Sequence, residues 1–177
     1  LTGAIIDAQV KSKYAKAKLE LEQMRQVIVA AKLNTGDVLP DVTGSGCSAC
    51  KCTRHQSEGG VGGGDNPAWS GWREPDETLF LIDIPETDDC YQNWQTALNA
   101  IKTSSGDLAA PGDGRWLRDP WGSPYILDEN ELPGESMCNQ DTLRSAGLNG
   151  VMEGWGAADG DDYVVLIPNS SPDCINP

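Results

Sequence analysis

From Ala4 to Leu33 the chain runs without a proline or a glycine. That stretch limits the fold more than any other feature. Within it Val10, Tyr14, Ala17, Leu21, Met24, Ile28 and Ala31 step by alternating four and three residues. The spacing draws a narrow apolar stripe along one face of a helix, with Lys, Gln and Glu on the others. Asn34-Thr35-Gly36 supplies a stop, because Gly36 can take the left-handed conformation that ends helices. A helix over 4–33 spans about 45 Å. That exceeds the width of a small head, so part of the helix is expected to project. The stripe serves either the chain's own head or contact with other subunits. Residues 1–6 are uncharged and mostly apolar, and read as the last turns of a longer apolar segment.

Charge divides the chain at the end of this helix. Residues 1–33 carry Lys11, Lys13, Lys16, Lys18, Arg25 and Lys32 against Asp7, Glu20 and Glu22, a net of +3. The whole chain of 177 residues nets −14, so the remainder nets −17. A head this acidic repels phosphate, which argues against a nucleic-acid partner. A basic rod on an acidic head implies two parts with different partners. We divide the chain into an N-terminal assembly helix, 1–36, and an acidic head, 37–177. No apolar run reaches the length needed to span a bilayer.

The cysteines are Cys47, Cys50, Cys52, Cys90, Cys138 and Cys174. An even count in a chain rich in Gly and Pro favours disulfides and an oxidising, exported location. Spacing does not choose among the pairings. Cys47, Cys50, Cys52 and His55 also form a possible zinc set. The cluster opens an irregular, loop-rich insertion at about 37–90. The run Gly59–Gly64 within it lacks the Lys-Ser/Thr of a phosphate loop and precedes Asp65, so it reads as a surface loop. Trp69 and Trp72 follow, as core anchors or as a platform for a sugar ring.

Leu79–Ile84 reads as a short strand stopped by Pro85. Thr87-Asp88-Asp89 then offers an N-cap for a second helix, whose apolar face is Trp94, Ala97, Leu98 and Ile101. Tyr125–Asp128 and Tyr163–Ile167 read as strands. These elements give an α+β chain, a long helix packed on a small antiparallel sheet.

Two further motifs stand out. Asp119-Pro120-Trp121-Gly122-Ser123-Pro124-Tyr125 is a turn anchored by Trp and redirected into a strand. Ser145-Ala146-Gly147-Leu148-Asn149-Gly150 is a glycine turn, followed by Asp159 and the pair Asp161-Asp162. With the basic helix before them, in this order, they make the chain resemble type IV pilin-like proteins, above all the major pseudopilins of type II secretion and related bacterial pilins. The resemblance covers most of 4–33 and 116–167 and leaves the insertion at 37–90 unmatched.

The resemblance implies a pilin-like fold and self-assembly of the subunit into a helical filament at the cell surface. In the family an apolar segment of about twenty residues holds the subunit in the inner membrane before assembly. Here Val10, Tyr14, Ala17, Leu21, Met24 and Ile28 would line the assembly helix. The resemblance also implies a structural calcium ion on the acidic loop. Asp161 and Asp162 match its Asp pair, Asn149 stands where Asp is usual, and Ala146 offers a carbonyl; Asp159 is a further candidate. Replacing Asp by Asn removes one ligand charge and weakens the expected affinity. An alternative is a surface adhesin that binds through the insertion. No nucleophile elbow, Walker loop or His-Glu-x-x-His stretch is present, and His55 is the one histidine, so an enzyme is not expected.

Overall fold

The structure is a computed structural model and describes residues 2–44, 48–52, 80–106, 114–131, 139–151 and 161–169. Helix α1 covers Thr2–Thr35. It ends as the sequence predicts: Gly36 has φ 78° and its N–H donates to the Lys32 carbonyl at 2.9 Å. Two short helices follow, α2 at Leu39–Thr43 and α3 at Ser48–Cys52. Helix α4 covers Asp89–Ser104, and the Asp88 carboxylate caps it by accepting from the Cys90 N–H at 2.7 Å. Strands β1 (Ile126–Asp128), β2 (Asp141–Ser145) and β3 (Tyr163–Ile167) form an antiparallel sheet in the order β1-β2-β3. The chain is therefore α+β, with one long helix on a small antiparallel sheet.

The apolar stripe of α1 has its main use inside the chain. Ala17, Leu21, Met24, Ile28 and Ala31 are buried. Leu21, Met24, Ile28 and Ala31 join one core with Trp94 and Leu98 of α4 and with Leu127, Leu143 and Val165 of the sheet. The three sheet residues share one face because Leu127 pairs with Leu143 and Leu143 with Val165. Tyr14 and Val10 are half-buried, and the residues from Ile6 to Gln9 are exposed. The first turns of α1 thus stand clear of the head.

Two expectations need correction. Leu79–Ile84 is not a strand among the described residues: Leu81–Asp83 is a single 3₁₀ turn. Leu81 and Ile84 are buried while Ile82 stays 38% exposed. Apolar content there reports burial, not pairing. The zinc set also fails, because Cys52 is bonded to Cys90 and has no thiolate to offer. This disulfide ties α3 to the first turn of α4. Around it Ala49, Leu81, Ile84, Tyr91, Ile126 and Ala146 form a second small core. Cys50 lies in α3. Cys47, His55, Trp69, Trp72, Cys138, Asp159 and Cys174 lie outside the described residues. No helix among the described residues is long and apolar enough to cross a membrane.

Candidate functional site

The two motifs singled out in the sequence meet in space. Asp119 is their junction. Its Oδ1 accepts from the N–H groups of Trp121, Gly122 and Ser123 at 2.9, 2.9 and 3.0 Å. Its Oδ2 accepts from the Ser145 hydroxyl at 2.6 Å. Burial pushes the Asp119 carboxyl above its usual range, and these four hydrogen bonds oppose the shift. One side chain thereby closes the Asp-Pro-Trp-Gly turn and fastens it to the end of β2. Gly122, at φ 111°, lets the chain reverse there. Trp121 is turned onto α1 and meets Tyr14 edge to face, with ring centroids 4.6 Å apart. Arg118 braces the same turn: its guanidinium donates to the carbonyls of Gly122 and Ile84 at 2.6 and 2.7 Å and lies over the Tyr91 ring.

Beyond Ser145 the chain enters the acidic loop. The Gly150 N–H donates to the Ala146 carbonyl at 3.2 Å, and the Val151 N–H to Asn149 Oδ1 at 2.8 Å. Asp161 returns across the loop, with Oδ2 accepting from the Asn149 N–H at 2.8 Å. Gly147 has φ 60°, and a Cβ there would collide with the Asp161 carbonyl and lie 2.7 Å from its Oδ2. Only glycine lets the two strands of the loop approach this closely. Ala146, Asn149 and Asp161 are therefore brought together. Each contributes an oxygen that accepts a backbone N–H within the loop.

Asp162 belongs to another group. It is 6% exposed, and it and Asp128 act electrostatically on Arg144, which is fully buried on β2. Burial lowers the Arg144 pKa and the two carboxylates raise it again. Among the described residues no three carboxylate, thiol or imidazole side chains converge as a ready metal cage. A cation at this loop would rest on the Asp161 carboxylate, the Asn149 amide oxygen and the Ala146 carbonyl. Hard oxygens of this mixture suit calcium better than a softer transition metal.

Two buried polar contacts, which the sequence reading missed, hold the loop's platform to α1. Glu20 Oε2 accepts from the Tyr125 hydroxyl at 2.6 Å. Burial first, then this bond to Glu20, drives the Tyr125 pKa upward. At the far end Lys32 is buried between Glu131 at 2.9 Å and Asp141 at 3.4 Å, and donates to the Pro168 carbonyl at 2.8 Å. Charged residues on a predicted helix give no sign of burial by themselves. A weak signal existed: Lys32 lies four residues beyond Ile28, one step along the stripe.

Comparison of the chain with protein-family models, with curated proteins and with solved structures finds no match.

Proposed function

We propose that this chain is a pilin-like structural subunit of a type IV pilus or type II secretion pseudopilus, and that it assembles through α1. The observation that carries this reading is the overhang of α1. The stripe that packs on the head from Tyr14 to Ala31 continues upstream through Val10 to Ile6, where the chain's own head leaves Ile6 60% exposed. A helix that outruns its head with its apolar face uncovered is suited to partners of its own kind. The role needs binding surfaces and no chemistry. Before assembly the subunit resides in the inner membrane; afterwards its head faces the outside. The test is immunogold electron microscopy of producing cells with antibody against the head. Regular labelling along surface filaments supports the reading, and labelling confined to the cell envelope or the medium rejects it.

Calcium is the second part of the proposal. Held by Asp161, Asn149 and Ala146, it would offset the Asp161 charge and pin the loop to the end of β2. Binding to the folded state alone raises stability by mass action. Thermal melts of metal-stripped protein, with calcium, with zinc and with chelator, test it under non-reducing conditions. A saturable rise with calcium supports the site, and identical melts in calcium and chelator reject it.

A further inference from the structure

We propose that the projecting turns of α1 dock on one particular surface of a second copy: the knob formed by Phe80, Ile82 and Leu148 beside Asp83 and Glu86. This deepens the assembly reading above and rests on it.

The helix side of the contact is apolar at its centre and basic around it. Ile6 and Val10 continue the packing stripe one step of four at a time from Tyr14. Lys11 and Lys13 are exposed beside them. Between residues 6 and 19 there are four lysines and one acidic residue, Asp7. Asp7 pairs with Lys11 at 2.7 Å, but both side chains are more than half exposed, so the pair offsets little of this charge.

The knob has the opposite character. Phe80, Ile82 and Leu148 are 50%, 38% and 54% exposed. Phe80 and Ile82 flank Leu81, whose N–H donates to the carbonyl of Gly150, two residues beyond Leu148, at 3.0 Å, and Ile82 packs on Gly150. Asp83 and Glu86 are exposed on the same 3₁₀ turn and its exit. An apolar patch rimmed by acid thus matches an apolar stripe rimmed by lysine, in one molecule. An anionic membrane surface would satisfy the lysines but would leave the acidic knob without a role.

Placement favours a second copy over closure within one chain. Ile82 packs on Gly122, in the turn that holds Trp121 against Tyr14. The knob therefore sits where α1 leaves the head, below the turns it would have to cover. A neighbour shifted along the helix axis by one or two turns, about 5–11 Å, presents its knob to those turns. The two surfaces differ, so the contact is heterologous. Contacts of this kind repeat from copy to copy into an open chain instead of closing as a dimer. Two helical turns are small against the roughly 800 Å² per partner of a stable interface. One contact alone is weak and gains by repetition.

The test is a charge swap in the whole chain. Variant one carries Lys11→Glu and Lys13→Glu; variant two carries Asp83→Lys and Glu86→Lys. All four positions are exposed, and far-UV circular dichroism checks that folding is retained. Sedimentation velocity at low salt should show concentration-dependent association of the wild type. Either variant alone should associate at least tenfold more weakly, and their equimolar mixture should recover it. A zero-length carbodiimide cross-link between isotopically distinct copies should join Lys11 or Lys13 to Asp83 or Glu86. Three results overturn the contact: no such cross-link at high concentration, a mixture no heavier than its components, or binding to anionic vesicles that only the lysine swap abolishes. Regular filaments from a subunit carrying either swap alone would also overturn it, while leaving the filament reading intact.

Discussion

Ser145 and Asp119, separated by 26 positions in the chain, are joined by a hydroxyl-to-carboxylate hydrogen bond of 2.6 Å, with Ser145 fully buried and Asp119 nearly so. The bond couples the turn that grips α1 to the strand that feeds the acidic loop. A change at Asp119 therefore reaches both.

Asp119→Ala leaves three backbone N–H groups and one hydroxyl without their acceptor. The expected loss is about 2–4 kcal/mol, read as a lower urea midpoint. Asp119→Asn keeps an oxygen for the three N–H groups and lets the Ser145 hydroxyl turn to accept. It should retain most of the stability. Equal losses for the two variants would contradict this account.

Asp161→Asn separates the charge of that residue from its hydrogen bond. The amide oxygen can still accept from the Asn149 N–H, so melting in chelator should stay close to wild type. In calcium the variant should lack the wild-type rise, because the strongest ligand charge is gone. A deficit of the same size in both conditions would assign Asp161 a role without the ion.

Gly147→Ala meets two obstacles, a positive φ and the Asp161 carbonyl. The loop has to open, at a cost of about 1–3 kcal/mol in strain alone. Calorimetry with and without calcium should show a lower melting temperature together with a weaker calcium response.

Asp141 carries a pH dependence of definite sign. Burial, opposed by the Asn130 N–H and Lys32 and reinforced by Glu131, pushes its pKa up to about 6. In the unfolded chain it returns to about 3.9. The folded state binds this proton more tightly, so the contribution is favourable at low pH and is lost as pH rises from about 4 to 6. Asp119 and Asp128 are also raised by burial, so the comparison must isolate Asp141. Urea midpoints for wild type and Asp141→Asn between pH 4 and 7 should diverge across that window, the variant losing less stability as pH rises.

Reduction of the Cys52–Cys90 bond, or replacement of both residues by Ser, frees a loop spanning a sequence separation of 38. Loop-closure entropy sets the expected loss at about 4 kcal/mol. Chemical denaturation under reducing and non-reducing conditions measures it.

How far the fold could be read from the sequence varied by element, for physical reasons. Helices α1 and α4 were legible because each buries one face and leaves the others in water, which imprints a period on the residues. Strand β3 was legible from its β-branched run. Strand β2 was not, although it is the centre of the sheet. Its residues Asp141, Thr142, Arg144 and Ser145 are polar and all buried, and Asp141 and Ser145 are held by partners distant in sequence. No local pattern encodes such partners. The apolar run at 79–84 misled in the opposite way, since Leu81 and Ile84 are buried without strand pairing. In the candidate site, the glycine turn and Asp161 could be picked out from the chain alone. The electrostatic influence of Asp162 on the buried Arg144 could not.

Lys32 gives α1 a mechanical character. Close to its C-terminal end the helix is held through buried Lys32 by two carboxylates and a carbonyl, while residues 6–9 near its other end are exposed. It is a cantilever clamped at one end. A pull on the free end loads Tyr14 and Trp121 first and reaches Lys32 last, along a hydrogen-bonded rod and not through the loops. Tension along α1 therefore enters the head at Tyr14 and Trp121 and passes from that turn through Asp119 and Ser145 to the foot of the acidic loop.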